Sequence, residues 1–369
     1  MLPTVSSNES MKVGLLYPLL VATSTNGIRL HNRQPSTARR LSSQEDDLIA
    51  AKPLVPKPPD FLGAAYTACG VATTAAWFKV VTHTIRSNAP PGALMPSSFH
   101  APFARMGVLS VVPVIASAYA VLSTASQESW TALSSDSCRR LNLALITAGV
   151  GSALWVGFAP RITQIPGTNP VASHWQPVSG MTRAALIGSY GASAALSAAV
   201  WVRSLPEDER KRPLTWPGRI TDGVCKSLVS LPPANANDPV QVKYALLASS
   251  MLFFTAMPLV CPYPYAVCPS WAGRRCSRAF PAWTFLAAVS SFNLKEAAEK
   301  GNLLADNASK TLSTGLTTFG ALYLAPKAGS ILIDPSFPVH FKIVLAETVP
   351  MWLAAAGACV GLTLRPDKA

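Results

Sequence analysis

Charge is scarce in this chain. Asp, Glu, Lys and Arg make up 13% of its 369 residues, where soluble domains carry about a quarter. Together with a mean hydropathy of +0.28, this shortfall points away from a water-soluble domain and toward a bilayer. Acids are scarcer than bases, 18 Asp and Glu against 31 Lys and Arg, for a net charge of +13. Catalytic signatures are also missing. There is no GxGxxG, Walker A, HExxH or GxSxG, so dinucleotide, P-loop, zincin and α/β-hydrolase chemistry have no motif to rest on. Seven cysteines occur without CxxC spacing, which removes the usual zinc and thioredoxin-type patterns. No recognition helix, zinc finger or RNP-like motif accompanies the basic balance. The charge is therefore assigned to headgroup anchoring and topology, and nucleic acid is not expected as a partner.

What the chain has instead is a series of apolar runs. At about 20 residues per bilayer crossing, candidate spans fall at Phe61–Thr82, Met106–Thr124, Leu141–Phe158, Ala184–Val202, Tyr244–Val260, Phe280–Leu294, Leu312–Leu324 and Ile343–Leu364. The expected fold is all-α, a polytopic helical membrane protein of about eight transmembrane helices. The sixth and seventh segments are short, so six spans with two re-entrant or interfacial helices is the competing layout. Soluble helices need a polar stripe facing water, and Ala184–Val202 has none. Small residues recur every fourth position, as Ser189, Ser193 and Ser197, as Ala64, Ala68, Ala72 and Ala76, and as Gly357 and Gly361. That spacing lets helix backbones approach closely in lipid. Pro113, Pro258 and Pro350 fall inside spans, where a kink or the end of a regular turn is expected.

The amino terminus reads as an address. Met11-Lys12 opens an apolar run, Val13 to Ala22, too short to span and followed by small residues, as in a signal peptide. Arg29, Arg33, Arg39 and Arg40 then alternate with Ser36, Thr37, Ser42 and Ser43, with no acid before Glu45. This Arg/Ser-rich, acid-poor stretch has transit-peptide composition. The order resembles, in composition, the bipartite presequences of plastids acquired by secondary endosymbiosis, although the Phe usual at their cleavage point is absent. That resemblance implies a plastid membrane, with the mitochondrial inner membrane second and plain secretion third. The expected organisation is a presequence over 1–45, a Pro/Lys-rich linker over 46–60, a first four-span half over 61–203, a polar hinge over 204–243 and a second half over 244–369.

The two halves carry similar marks. Ala159-Pro160-Arg161 matches Ala325-Pro326-Lys327, Asn169-Pro170 matches Asp334-Pro335, and Ser117-Ala118-Tyr119 matches Ser290-Ser291-Phe292. These matches suggest a tandem repeat of a four-helix unit, its halves inserted alike and related by an axis along the membrane normal. Chance likeness between apolar segments is the competing explanation. Lys and Arg are denser beyond the even-numbered spans, as in Arg139-Arg140, Arg203, Arg210-Lys211-Arg212 and Lys295. Both termini are thereby placed on the cytosol-like side. Cys261, Cys268 and Cys276 share a loop on the opposite side, where a disulfide and three free thiols are both open readings.

Few groups could carry chemistry. Glu347 is the one carboxylate well inside a strong span, which makes it a candidate proton or cation site. Its bland alternative is an interfacial acid hydrated near Lys342. Asn293 and Glu296, with Lys295 and Glu299, close the sixth segment. They are read either as a helix emerging into water with solvated i, i+4 partners or as the polar end of a discontinuous helix lining a substrate cavity. His83, His100, His174 and His340 fall on one membrane face and form a weak metal or haem ligand cluster. No cofactor is expected. The leading functional expectation is a transporter or permease for a small solute or ion, with the lipid bilayer, and candidate membrane subunits, as partners. The alternatives are a non-catalytic assembly factor or structural subunit of an organellar membrane complex, and a haem- or metal-dependent membrane oxidoreductase. Convergent histidines would favour the last, and a polar cavity the first.

Overall fold

The computed structural model describes residues 58–86, 109–158, 180–260, 271–303 and 306–333. Among them there is no strand. The helices are α1 (Phe61–Arg86), α2 (Val112–Glu128), α3 (Trp130–Leu133), α4 (Asp136–Phe158), α5 (Gly180–Arg203), α6 (Glu207–Arg210), α7 (Trp216–Val229), α8 (Pro239–Val260), α9 (Trp271–Glu299) and α10 (Asn307–Ile333), with a 3₁₀ turn at Pro213–Thr215. Seven of the expected segments lie on or overlap these helices, and Ile343–Leu364 lies outside the described residues. Among the described residues two helices, over Phe61–Val81 and Gly180–Arg203, are long and apolar enough to cross a bilayer. Two of the others are short or charged. Helix α2 has 17 residues, and α9 carries Arg274, Arg275 and Arg278 at one end and Lys295 and Glu296 at the other.

The sixth and seventh segments are far longer than their apolar runs suggest. Helix α9 has 29 residues and α10 has 27. Helix α9 is central, with no exposed position from Pro281 to Lys295, and packs against α1, α2, α4, α8 and α10. A helix enclosed on every side needs no amphipathic stripe, which is why its periodicity is poor. It ends in a glycine cap. Gly301 has φ +70°, and the N–H groups of Gly301 and Asn302 donate to the carbonyls of Ala298 and Ala297 at 3.1 and 2.9 Å, a Schellman closure.

Pro113 does not kink a span. It lies in the first turn of α2, where a missing N–H leaves no bond unmade. Pro281 is inside α9, and the Thr284 hydroxyl donates to its carbonyl at 2.9 Å and lies 3.0 Å from the Thr255 hydroxyl on α8.

Helix ends alternate. The start of α1 meets the end of α2 where Ser123 Oγ donates to the Gly63 carbonyl at 3.0 Å. Tyr66 on α1 donates to Asn142 Oδ1 near the start of α4 at 2.8 Å. Arg139 at the start of α4 donates to the Ser204 carbonyl just past α5 at 2.6 Å. Tyr244 on α8 lies 3.4 Å from Ser313 Oγ on α10. Successive long helices thus run up and down, and one end of the bundle collects the charged groups. Deeper in, the core is aromatic and hydroxylic. Trp283 touches Trp77 and Tyr190 at centroid distances of 6.0 and 6.2 Å. Tyr119 bonds Ser193 and lies 3.3 Å from Thr73 Oγ1. Buried hydroxyls such as Ser290 and Ser291 return to their own helix carbonyls at 2.9 and 2.8 Å, the usual way to satisfy them without water.

Candidate functional site

The charged end of the bundle is built where α4 begins and α9 finishes. Arg140 grips Glu296 with both terminal nitrogens, Nη1 to Oε2 at 2.7 Å and Nη2 to Oε1 at 2.9 Å. The fork geometry is the strong form of this pair. Nη1 also reaches Asn293 Oδ1 at 3.4 Å, and Asn293 Nδ2 donates to the Ser137 carbonyl at 3.1 Å. The guanidinium lies 4.8 Å from the centroid of the Phe292 ring. Both partners sit at the unfavourable end of their own helix: a cation near the positive N-terminus of α4, an anion near the negative C-terminus of α9. The pair therefore cannot be explained by helix dipoles; each side chain answers the other.

Lys295 is the second anchor. Its side chain is 2% exposed. Its Nζ lies 2.8 Å from Glu299 Oε1 and donates to the Ser230 carbonyl at 2.5 Å. Glu299 Oε1 also accepts from the Ala234 backbone N–H at 2.7 Å. The i, i+4 partnership expected between Lys295 and Glu299 is present, but Lys295 is buried rather than solvated. The reason is the chain following α7, which folds over it.

That chain belongs to the segment read as a polar hinge, which contains α6, the 3₁₀ turn and α7. Trp216 Nε1 donates to the Glu209 carbonyl at 3.1 Å, Arg219 pairs with Glu209, and the Trp216 ring meets Trp201 edge-on at 6.2 Å. Helix α7 is amphipathic and buries none of its side chains completely. Between it and the ends of α4, α5, α8 and α9 lies a cavity of about 710 Å³, whose wall includes both Arg140 and Glu296.

Asn293 and Glu296, singled out in sequence, are thus brought together on Arg140. Glu347, His100, His174 and His340 lie outside the described residues, as does the side chain of His83. Among the described residues no group of three or more His, Cys, Asp or Glu side chains could hold a metal. Cys138, in the first turn of α4, is buried, and burial pushes its thiol above the usual range. Sequence reasoning missed Arg139 and Arg140 as site residues, counting them only as topological charge. Their signal was a basic pair placed immediately before an apolar run.

No family model matches the chain, and no curated protein or solved structure resembles it.

Proposed function

We propose that the chain is a polytopic membrane protein of about eight spans in two similar halves, and that it works as a carrier whose substrate path opens beside Arg140 and Glu296. The observation that carries the membrane reading is the outward surface of the long helices. On α5 the exposed positions between its terminal arginines are Ala184, Ala185, Gly188, Ala192, Ala195 and Ala199. On α1 they include Ala64, Ala68, Val71, Ala75 and Phe78, and on α8 Leu246 and Phe253. These faces carry no charge over most of their length. Water-facing helices are polar outward, and a contiguous apolar exterior of this extent marks contact with lipid or a partner.

Helix pairing supports the two halves. With α1, α2, α4 and α5 matched to α8, α9, α10 and the segment 343–364, α1 packs on α2 as α8 packs on α9. Similarly α2 meets α10 as α9 meets α4, and α2 meets α9 directly. A two-fold axis passing between α2 and α9 generates this pattern. Repeated halves around a central axis are a common transporter plan.

The carrier reading rests on the cavity and the ion pair in its wall. A bidentate pair joining α4 to α9 is a latch that two helices can make and break as one half moves against the other. The test needs no known substrate. In a cysteine-free background, Leu143→Cys in the cavity wall is exposed to a membrane-impermeant thiol reagent in sealed vesicles of both orientations. A carrier labels from both sides. Labelling from one side alone contradicts the proposal and leaves a structural subunit.

A further inference from the structure

We infer that the cavity roofed by α7 is a binding site for an anionic acyl amphiphile, with the head at the charged end of the bundle and the tail between α4, α8 and α9. This rests on the membrane reading of the bundle but not on two-sided access.

The cavity has two chemically distinct parts. Its mouth is polar and basic. Arg139, Arg140, Arg219 and Lys226 line it, against the carboxylates of Asp136, Asp222 and Glu296. Several of these are already committed to one another. Arg140 is bonded to Glu296, and Arg219 to Glu209. Arg139 and Lys226 are bound to no buried carboxylate, although Arg139 Nη2 donates to the Ser204 carbonyl at 2.6 Å. Arg139 is only 3.8 Å from an Asp136 carboxylate that is itself 73% exposed, and its buried Nε has no hydrogen-bond partner among the described residues. Lys226 makes no ion pair with any described residue. Of the four cations that line the mouth, two thus lack a buried carboxylate partner among the described residues, Arg139 from α4 and Lys226 from α7, on opposite walls. A phosphate or carboxylate between them would receive charge-assisted hydrogen bonds from both.

Below the mouth the wall is apolar, formed by Leu143, Leu252, Phe285 and Val289 among others. Along α9 it runs from Glu296 to Phe285, about 16 Å at 1.5 Å per residue. Half of a hydrocarbon core of about 30 Å is about 15 Å. The slot is therefore one leaflet deep, the reach of an acyl tail whose head stays at the interface.

The roof supplies an independent sign that something is meant to fill this space. Ile220, Val224 and Leu228 recur every fourth residue on α7, and all three line the cavity. Yet Val224 is 44% and Leu228 50% exposed, because no side chain of the described residues covers them. An amphipathic helix with a Trp and basic residues is the form that lies at a lipid interface. Here its apolar stripe faces a slot in its own protein.

The experiment is native mass spectrometry of the full chain, purified in mild detergent, delipidated, and titrated with phosphatidylglycerol, phosphatidylcholine and palmitate. The expected result is stoichiometric uptake of one anionic amphiphile, with phosphatidylcholine weaker by about tenfold. Preference for phosphatidylglycerol identifies a bilayer lipid as the source, and preference for palmitate a free acid; either supports the site. Lys226→Glu, at an exposed position that folding does not need, should weaken uptake by roughly fivefold or more. Val289→Phe should block it by filling the slot, with an unchanged melting temperature as the folding control. No stoichiometric uptake, equal uptake of phosphatidylcholine, or indifference to both substitutions overturns the proposal. Because binding is measured in detergent, one-sided labelling of Leu143→Cys would sink the carrier reading while leaving this site standing.

Discussion

Glu296 and Arg140 are each about one-fifth exposed, 18% and 23%, between the surface regime where ion pairs contribute little and the interior where breaking one is severe. Glu296→Gln leaves the guanidinium half-buried with Asn293 and the Phe292 ring alone. We expect a loss of about 1–3 kcal/mol, read as a lower melting temperature in detergent. The double variant Arg140→Gln/Glu296→Gln should lose less than the sum of the single losses, with a coupling of about 1–2 kcal/mol. Strict additivity would mean that the contact contributes nothing. At this scale the sequence was half legible. Asn293 and Glu296 are visible because polar groups at the end of an apolar run are conspicuous. Their partner is not, because it stands 156 positions away from Glu296 in the chain and nothing local ties the two together.

Elements were legible as helices and poorly legible as lengths and contacts. Apolar runs located the long helices, but α9 and α10 extend well past their apolar windows, since buried hydroxyls and terminal charges dilute the hydropathy signal. Helix α7 carried a visible repeat of Trp216, Ile220, Val224 and Leu228, hidden by the prolines and mixed charges around it. Small-residue spacing misled in part: Ala64 and Ala68 face outward, while the close contacts of α1 are made by Gly63 and Gly70. Helix packing makes a graded prediction. A Cβ on Gly149 would lie 2.8 Å from the Tyr190 carbonyl oxygen, and one on Gly315 would lie 2.6 Å from Ser117 Cβ and 2.9 Å from the Pro113 carbonyl oxygen. Gly149→Ala and Gly315→Ala should each cost about 1–3 kcal/mol. At Gly188 an added methyl would meet no described atom within 4 Å, so Gly188→Ala should be tolerated and gain up to about 1 kcal/mol of helix stability. Thermal melts of the three variants decide it, and equal effects at all three would refute the α4–α5 and α2–α10 contacts.

At the scale of the molecule, the helical character of the described residues follows from composition and apolar runs, whereas the arrangement around α9 does not, because a central helix is defined by its neighbours. The central claim is that the uncharged outward faces meet lipid. Spin labels at Ala68→Cys, Ala192→Cys and Phe253→Cys, in a cysteine-free protein reconstituted in liposomes, test it through collision with oxygen, which concentrates in the bilayer, and a polar nickel chelate, which stays in water. All three labels are predicted to be relaxed by oxygen and shielded from nickel. Strong nickel relaxation at all three positions would place these faces in water and contradict the account.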